Sequence, residues 1–316
     1  MNDDRSARGE AADDKKEPGD KREPGDRQDQ AADASRGALQ LGVAGNGDLR
    51  WAVADVGGPT EAIRAGRDLS PIAAVALGRA LSAAALLLRF TTKEPGQLVL
   101  EVMGDGPLGK VMAEVDSLGR LRGLVGDPHL ATPEDGSLAV GWAVGQGTLR
   151  VTQESSRGRY SSQVELVTGE LGKDLVHFLE QSQQIRSAVL LGVLPRSTGI
   201  AAAGGLLVEA FPGVPEETLE RLERNITALD GVSAYLERGG LAELRDAVLD
   251  GFDIEELERH PLDYHCRCER DSVVIPMQQL SAEELDSIAD AAGRIYAECA
   301  FCGTQYAIER QELAIN

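Results

Sequence analysis

All the cysteines of this 316-residue chain fall in two short stretches near its C-terminus, "HCRCERDS" at residues 265–272 and "ECAFCGTQ" at 298–305. Cys266 and Cys268 form a C-x-C pair and Cys299 and Cys302 a C-x-x-C pair, with thirty residues between the two. Four thiolates that converge make the tetrahedral sulfur set of a structural zinc site. Two residues between Cys299 and Cys302 let the chain turn back around a metal, and Gly303 supplies the permissive backbone that such a turn often needs. Cys266 and Cys268 would lie on one face of an extended segment and share the same ion after a slight bend. His265 offers a ring nitrogen beside them, but four sulfurs already complete the shell. Three other uses of the cysteines stand beside this one: four unligated thiols, a purely structural zinc ribbon, and a dithiol catalyst. The last needs an accessible low-pKa thiolate, usually in a thioredoxin-like βαβ setting, and "CAFCG" has no such setting.

The elements that must position these residues follow from the apolar pattern. "LQLGVAGNGDLRWAVADV" reads as two strands around a Gly-Asn-Gly turn. "PIAAVALGRALSAAALLLRF" reads as a buried Ala-rich helix with Ser70 as N-cap and Pro71 at its first position. Arg79 in mid-segment and Arg89 near its end argue against a membrane span. The stretch from Gln97 to Gly126 alternates as a β-meander, and "TLRVTQES" with "YSSQVELV" forms a further hairpin. "ELGKDLVHFLEQSQQI" has helical spacing through Leu171, Leu175, Phe178 and Leu179. "SAVLLGVLP" and "GIAAAGGLLVEAF" supply two more strands. The reading is an α+β protein: a mixed α/β core domain at 37–210, a metastable linker of short acidic helices at 211–260, and a small four-cysteine zinc-binding domain at 261–316. Residues 1–36, with "KEPGD" and "REPGD", read as a disordered charged tail. Between the cysteine pairs a capping box Ser281…Glu284 opens a helix that stops at Gly293, giving a strand–helix–strand spacer.

Composition excludes several classes. The net charge is -20, and residues 209–316 hold 24 Asp/Glu against 9 Arg and no Lys, a balance of -15. That field repels a phosphate backbone, so no nucleic-acid partner is expected. The charged N-terminus has no apolar stretch of a secretory signal, and the expected compartment is the cytoplasm, with no membrane partner. "GDGPLG" (Gly104, Gly106, Gly109) formally matches a dinucleotide fingerprint, but a strand rather than a helix follows it, so it reads as a hairpin turn. His129 and His177 read as ordinary surface or core residues, and the sequon "NIT" at 225–227 has no role in the cytoplasm.

The C-x-C…C-x-x-C set, written "HCRCER" and "ECAFCGTQY", resembles the redox-regulated 33-kilodalton heat-shock chaperone family. "LSPIAAVALGRALSAAALL", "VMGDGPLGKVMAEVDSLGRLRGLV", "VGQGTLRVTQ", "FLEQSQQI" and "AAAGGLLVEAFPG" look like successive blocks of that family's N-terminal domain, over about residues 38–316. "SQQ" at 182–184 departs from the family's usual Ser-Glu-Gln, and the N-terminal tail is extra. The resemblance implies a holdase chaperone and not an enzyme, a reduced monomer holding one zinc ion per chain on Cys266, Cys268, Cys299 and Cys302. It implies oxidation to Cys266–Cys268 and Cys299–Cys302 disulfides, zinc release, unfolding of the C-terminal domain and linker, and dimerisation. Unfolding client proteins would then be bound and passed to ATP-driven refolding chaperones.

Overall fold

The computed structural model describes residues 36–91, 95–184 and 186–313; the tail expected at 1–36 lies outside it except for Arg36, which begins a strand. The two strands predicted around Gly-Asn-Gly are β1 (Arg36–Ala44) and β2 (Leu49–Asp55). Their turn puts Gly45, Asn46 and Gly47 at positive φ (63°, 56° and 89°), the conformation for which glycine and asparagine are selected. Helix α1 (Gly57–Arg67) and the long α2 (Pro71–Thr91) follow. The meander is β3 (Gly96–Gly104), β4 (Lys110–Asp116) and β5 (Arg120–Val125); a short α3 (Val140–Val144) leads to the hairpin β6 (Gly147–Ser155) and β7 (Gly158–Glu165). Helix α4 (Gly172–Phe178) ends in a wider π turn over Leu179–Gln183, before β8 (Ser187–Arg196) and β9 (Gly199–Ala210). Then come α5 (Glu216–Thr227), α6 (Val232–Val248), β10 (Ile254–Tyr264), α7 (Arg270–Met277), α8 (Ala282–Ile288), β11 (Arg294–Glu298) and β12 (Gln305–Glu309).

Ten strands hydrogen-bond in the order β7-β6-β3-β4-β5-β10-β1-β2-β9-β8. The sheet is two five-stranded halves joined by a narrow bridge, because β10 meets β5 at only two residue pairs, Asp263↔Arg120 and Tyr264↔Leu121. Helix α2 lies against strands of both halves. Its run of alanines lets them approach closely, and its leucines share one buried cluster with Leu100 of β3, Val111 of β4 and Leu207 of β9. The segment is long and apolar enough to cross a membrane, yet 89% of it is buried inside the molecule. Arg79, the charge that argued against a span, is ion-paired with Glu170.

Strands β2 and β9 are apolar on both faces. Ala52 and Ala54 face the α2 core, whereas Trp51 and Val53 face a second cluster with Leu206 and Val208. Helices α5 and α6 cover that second face through Leu222, Leu236, Leu244 and Val248. Asn225 of the "NIT" sequence donates to the carbonyls of Val248 (2.9 Å) and Asp250 (3.0 Å), tying α5 to the end of α6. Gly240 (φ 65°, ψ −149°) breaks α6 into two pieces.

Two expectations change. The segment 211–260 is helical only to Val248, and its last residues enter β10, so an expected boundary at Pro261 falls inside a strand. The cause is non-local: β1 offers a nine-residue ladder, and this outweighs the weak helical tendency of "FDIEELERH". The spacer between the cysteine pairs is helix–helix–strand instead of strand–helix–strand. "RDSVVIPM" is helical because the Ser272 hydroxyl bonds back to the Glu269 carbonyl (2.6 Å) at the helix start and Pro276 comes only in the last turn. "GDGPLG" is a hairpin turn as expected; a Cβ on Gly106 would meet the Ala143 carbonyl at 2.5 Å, so the glycine serves close backbone packing on α3.

The docking of α6 depends on a flat patch. Gly192 and Gly204 are paired across β8 and β9, and a Cβ on Gly192 would run into α6, at 2.8 Å from Ser233 N and Val232 Cβ. Gly192→Val should therefore weaken docking by about 1–3 kcal/mol through overpacking. Limited proteolysis should show cleavage within 228–250 rising tenfold or more, with the α2 core unchanged.

Candidate metal centre

Strand β10 delivers the first cysteine pair. Its last residue is Tyr264, the His265 amide donates to the Leu121 carbonyl of β5 (2.8 Å), and the chain then runs irregularly through Cys266 and Cys268 to α7. The second pair sits at the tip of the β11–β12 hairpin. There the Gly303 amide donates to the Cys299 carbonyl (2.8 Å) and the Cys299 amide to the Thr304 carbonyl (2.9 Å). Gly303 has φ 74°, the left-handed turn its position suggested.

The four Sγ atoms all lie within 4.8 Å of one another. Cys266 and Cys299 are 3.7 Å apart, Cys268 and Cys302 3.3 Å. A tetrahedral thiolate shell with metal–sulfur bonds of about 2.3 Å places its sulfurs about 3.8 Å apart, so the donor set fits one ion of that kind. His265 is not part of the cluster, and the His129 ring lies 3.1 Å from the Asp68 carbonyl, away from the cysteines. His177 sits in the last turn of α4.

The sulfurs are not equivalent. Burial pushes the Cys266 and Cys299 thiols above the ordinary thiol range. At Cys302 burial acts the same way, but hydrogen bonds from the Thr304 hydroxyl and amide, then from the Cys268 and Cys266 thiols, outweigh it and bring Cys302 down to about 6. The Tyr306 hydroxyl donates to Cys268 Sγ (3.1 Å), which pushes the phenol up to about 12.

Sequence reasoning missed the residues that hold this cluster against the core. Arg267, between Cys266 and Cys268, donates to Glu114 Oε2 (2.7 Å) and Gln97 Oε1 (2.9 Å). Phe301, between Cys299 and Cys302, lies under the Arg122 guanidinium at 4.1 Å. Arg122 bonds the same Glu114 oxygen (2.6 Å), so one nearly buried carboxylate on β4 links both cysteine pairs to the sheet. Arg67 at the end of α1 pairs with Glu298, beside Cys299. The spacing made Arg267 and Phe301 visible as intervening residues, but their partners more than 150 positions away carried no local signal.

This arrangement can be compared with known proteins. The Hsp33 protein family model matches residues 38–309. The chain belongs to the Hsp33 family. The 33 kDa chaperonin of Thermus thermophilus is 38% identical over 291 residues, covering 88% of this chain and 85% of that protein. The 33 kDa chaperonin of Symbiobacterium thermophilum is also 38% identical, covering 87% and 95%. The crystal structure of the 33 kDa chaperonin of Thermotoga maritima superposes with a TM-score of 0.79 at 30% identity, covering 87% of this chain and 96% of that one. An α+β chaperone-family fold carrying four clustered cysteines is thereby established.

Glu114→Gln leaves Arg122 and Arg267 without their shared anion. A loss of about 2 kcal/mol of local stability is expected, given the usual worth of charge-assisted hydrogen bonds. Hydrogen exchange of the His265–Glu269 amides should accelerate about thirtyfold. Glu101→Gln, which loses only a surface pair with Lys110, should leave those amides unchanged.

Proposed function

We propose that this protein is a redox-regulated holdase, inactive while its four thiolates hold one zinc ion and active once they are oxidised. The observation that carries the reading is the mutual approach of Cys266, Cys268, Cys299 and Cys302 within 4.8 Å, in a unit otherwise short of core. Among the described residues only Leu285, Ile295, Ile308 and Leu313 are buried in its own apolar cluster, besides partly covered neighbours. Such a unit depends on its staple, and structural zinc contributes on the order of 10–16 kcal/mol that is coupled to folding.

Oxidation follows thiol chemistry. A thiolate attacks a peroxide oxygen, the O–O bond breaks and water is lost, leaving a sulfenic acid; a second thiolate displaces hydroxide and forms the disulfide. Each pair of thiolates gives two electrons to one peroxide as it becomes a disulfide, and two peroxides oxidise all four sulfurs. Cys266–Cys268 and Cys299–Cys302 are the disulfides of this reading. The shorter sulfur separations cross between the pairs, but once the unit opens only neighbours in sequence remain close. Without four thiolates the metal site is lost, the links through Arg267 and Phe301 go slack, and α5–α6 lose support for their hold on the sheet.

Released helices and the exposed Trp51–Leu206–Val208 face would present the apolar surface that binds unfolding clients. The protein is a cytoplasmic monomer when reduced and a dimer when oxidised, without catalytic activity of its own. Clients would pass to ATP-driven refolding chaperones.

Elemental analysis of the reduced protein should give one zinc per chain, and Cys302→Ser should weaken binding at least a hundredfold. Proton linkage gives a second readout. Cys266 and Cys299 must each lose a proton to bind, so log affinity should fall by at least two per pH unit near neutrality and more steeply below the Cys302 value of about 6. Titration with a zinc-competing dye between pH 8 and 5.5 measures that slope; a flat profile removes the thiolate shell. Peroxide treatment should release the zinc and produce suppression of client aggregation in the same sample. Zinc loss with no gain of activity would favour the rival reading, a ribbon that is purely structural.

A further inference from the structure

Strand β10 is an unusual occupant of a sheet interior. Its ladder to β1 runs from Arg36↔Asp263 to Ala44↔Ile254, with a bulge at Leu41/Gly42, but its other edge meets β5 at only the two pairs nearest the cysteines. Five consecutive side chains, Glu255 to Arg259, are exposed, so neither face of that stretch is packed. Pro261 stands opposite Ala38 and has no amide hydrogen to donate. The strand's fully buried anchor is Leu262. Beyond the ladder itself, β10 is held at its C-terminal end, by Asp263 N to the Gly119 carbonyl (2.9 Å) and His265 N to the Leu121 carbonyl (2.8 Å). That end continues directly into Cys266. Near its other end, Glu256 pairs with Arg245 of α6 (3.4 Å), which links β10 to the docked helices.

Strand β1 is the opposite case. Leu39 and Leu41 belong to the α2 core and Ala38 and Ala44 to the second cluster, so β1 stays fixed when β10 is removed. Its free edge would then be a row of unpaired amides and carbonyls flanked by apolar side chains on both faces.

We propose that this edge of β1 is a client-docking site of the activated protein, beside the apolar face under α5 and α6, and that its ligand is an extended apolar segment of an unfolding chain, paired as an added strand in place of β10. β10 itself demonstrates that the edge accepts an extended chain mainly through its backbone. A backbone ladder recognises any unfolded protein irrespective of its side chains, and apolar side chains at alternate positions add contact with the two cores. The cysteine unit controls access because it pins the end of β10 that bridges to β5. The inference rests on the holdase reading, which it deepens by naming the surface.

Hydrogen exchange on the full-length protein tests the first half. The alternate amides of residues 38–44 that face β10 should be protected when the protein is reduced, exchange at least tenfold faster after peroxide treatment, and regain protection when a thermally unfolding client is added, while those that face β2 stay protected throughout. A ten-residue alternating Val/Thr peptide tests the second half. It should compete with client for the oxidised protein, whereas the same peptide N-methylated at alternate residues along its pairing edge should compete at least tenfold less well, its side chains being unchanged. Protection of the β10-facing amides that persists through oxidation, or equal competition by the two peptides, overturns edge docking. If aggregation is still suppressed in that case, the holdase reading stands and the docking surface lies elsewhere; if suppression is also absent, the holdase reading falls with it.

Discussion

One carboxylate carries an unusual share of the architecture. Glu114 on β4 accepts from two guanidiniums that reach it from different places, Arg122 on the neighbouring strand and Arg267 between the first two cysteines. Arg122 in turn stacks on Phe301, between the other two. Three charged groups and a ring thus couple a small, core-poor unit to a large, well-packed one. Such a cluster is stable while all members are in place and costly when one is withdrawn, because the others are left shielded from water. The four-cysteine unit and the body of the protein are therefore connected at this junction through charged groups and one stacked ring.

The two layers that flank β2 and β9 differ in kind. On one face α2 is apolar along most of its length, Arg79, Ser82 and Arg89 apart, and lies against both halves of the sheet. On the other, α5 and α6 are acidic, interrupted at Gly231 and Gly240, and fixed by narrow stripes of leucine and valine. Helices of this sort are marginal on their own and stable only when docked. The same strands thus have one cover that is broad and apolar and one that is acidic and narrowly attached, and the difference is written in the helices.

Much of this was readable along the chain. The turn at Gly45–Asp48, the capped helix from Pro71, the meander and the four thiols follow from local chemistry: positive φ, a capping hydroxyl, alternation of apolar residues, metal-ligand spacing. What was not readable depends on distant partners. β10 looks like the tail of a helical linker because Glu255, Glu256, Glu258 and Arg259, with Leu257 alone among them, carry no strand period; its conformation is imposed by β1, some 215 residues earlier. "RDSVVIPM" has the β-branched content of a strand and is helical through a serine bond at its start. The anchoring roles of Arg267 and Phe301 could not be seen because Glu114 and Arg122 belong to another part of the chain.

The insertion of β10 between β1 and β5 also orders events during synthesis. A ribosome completes β1 and β2 early, then all of the meander and β8–β9, before the segment that fills the gap exists. Until about residue 264 has emerged, the nascent protein has an α2 core assembled from local elements but an open seam down the middle of its sheet. Closing that seam is the contact of longest sequence separation in the sheet, which makes it a slow late step of folding. Each newly made chain therefore passes through a stage with its seam unfilled before the cysteines meet, and whatever shields that seam in the interval must come from outside the molecule.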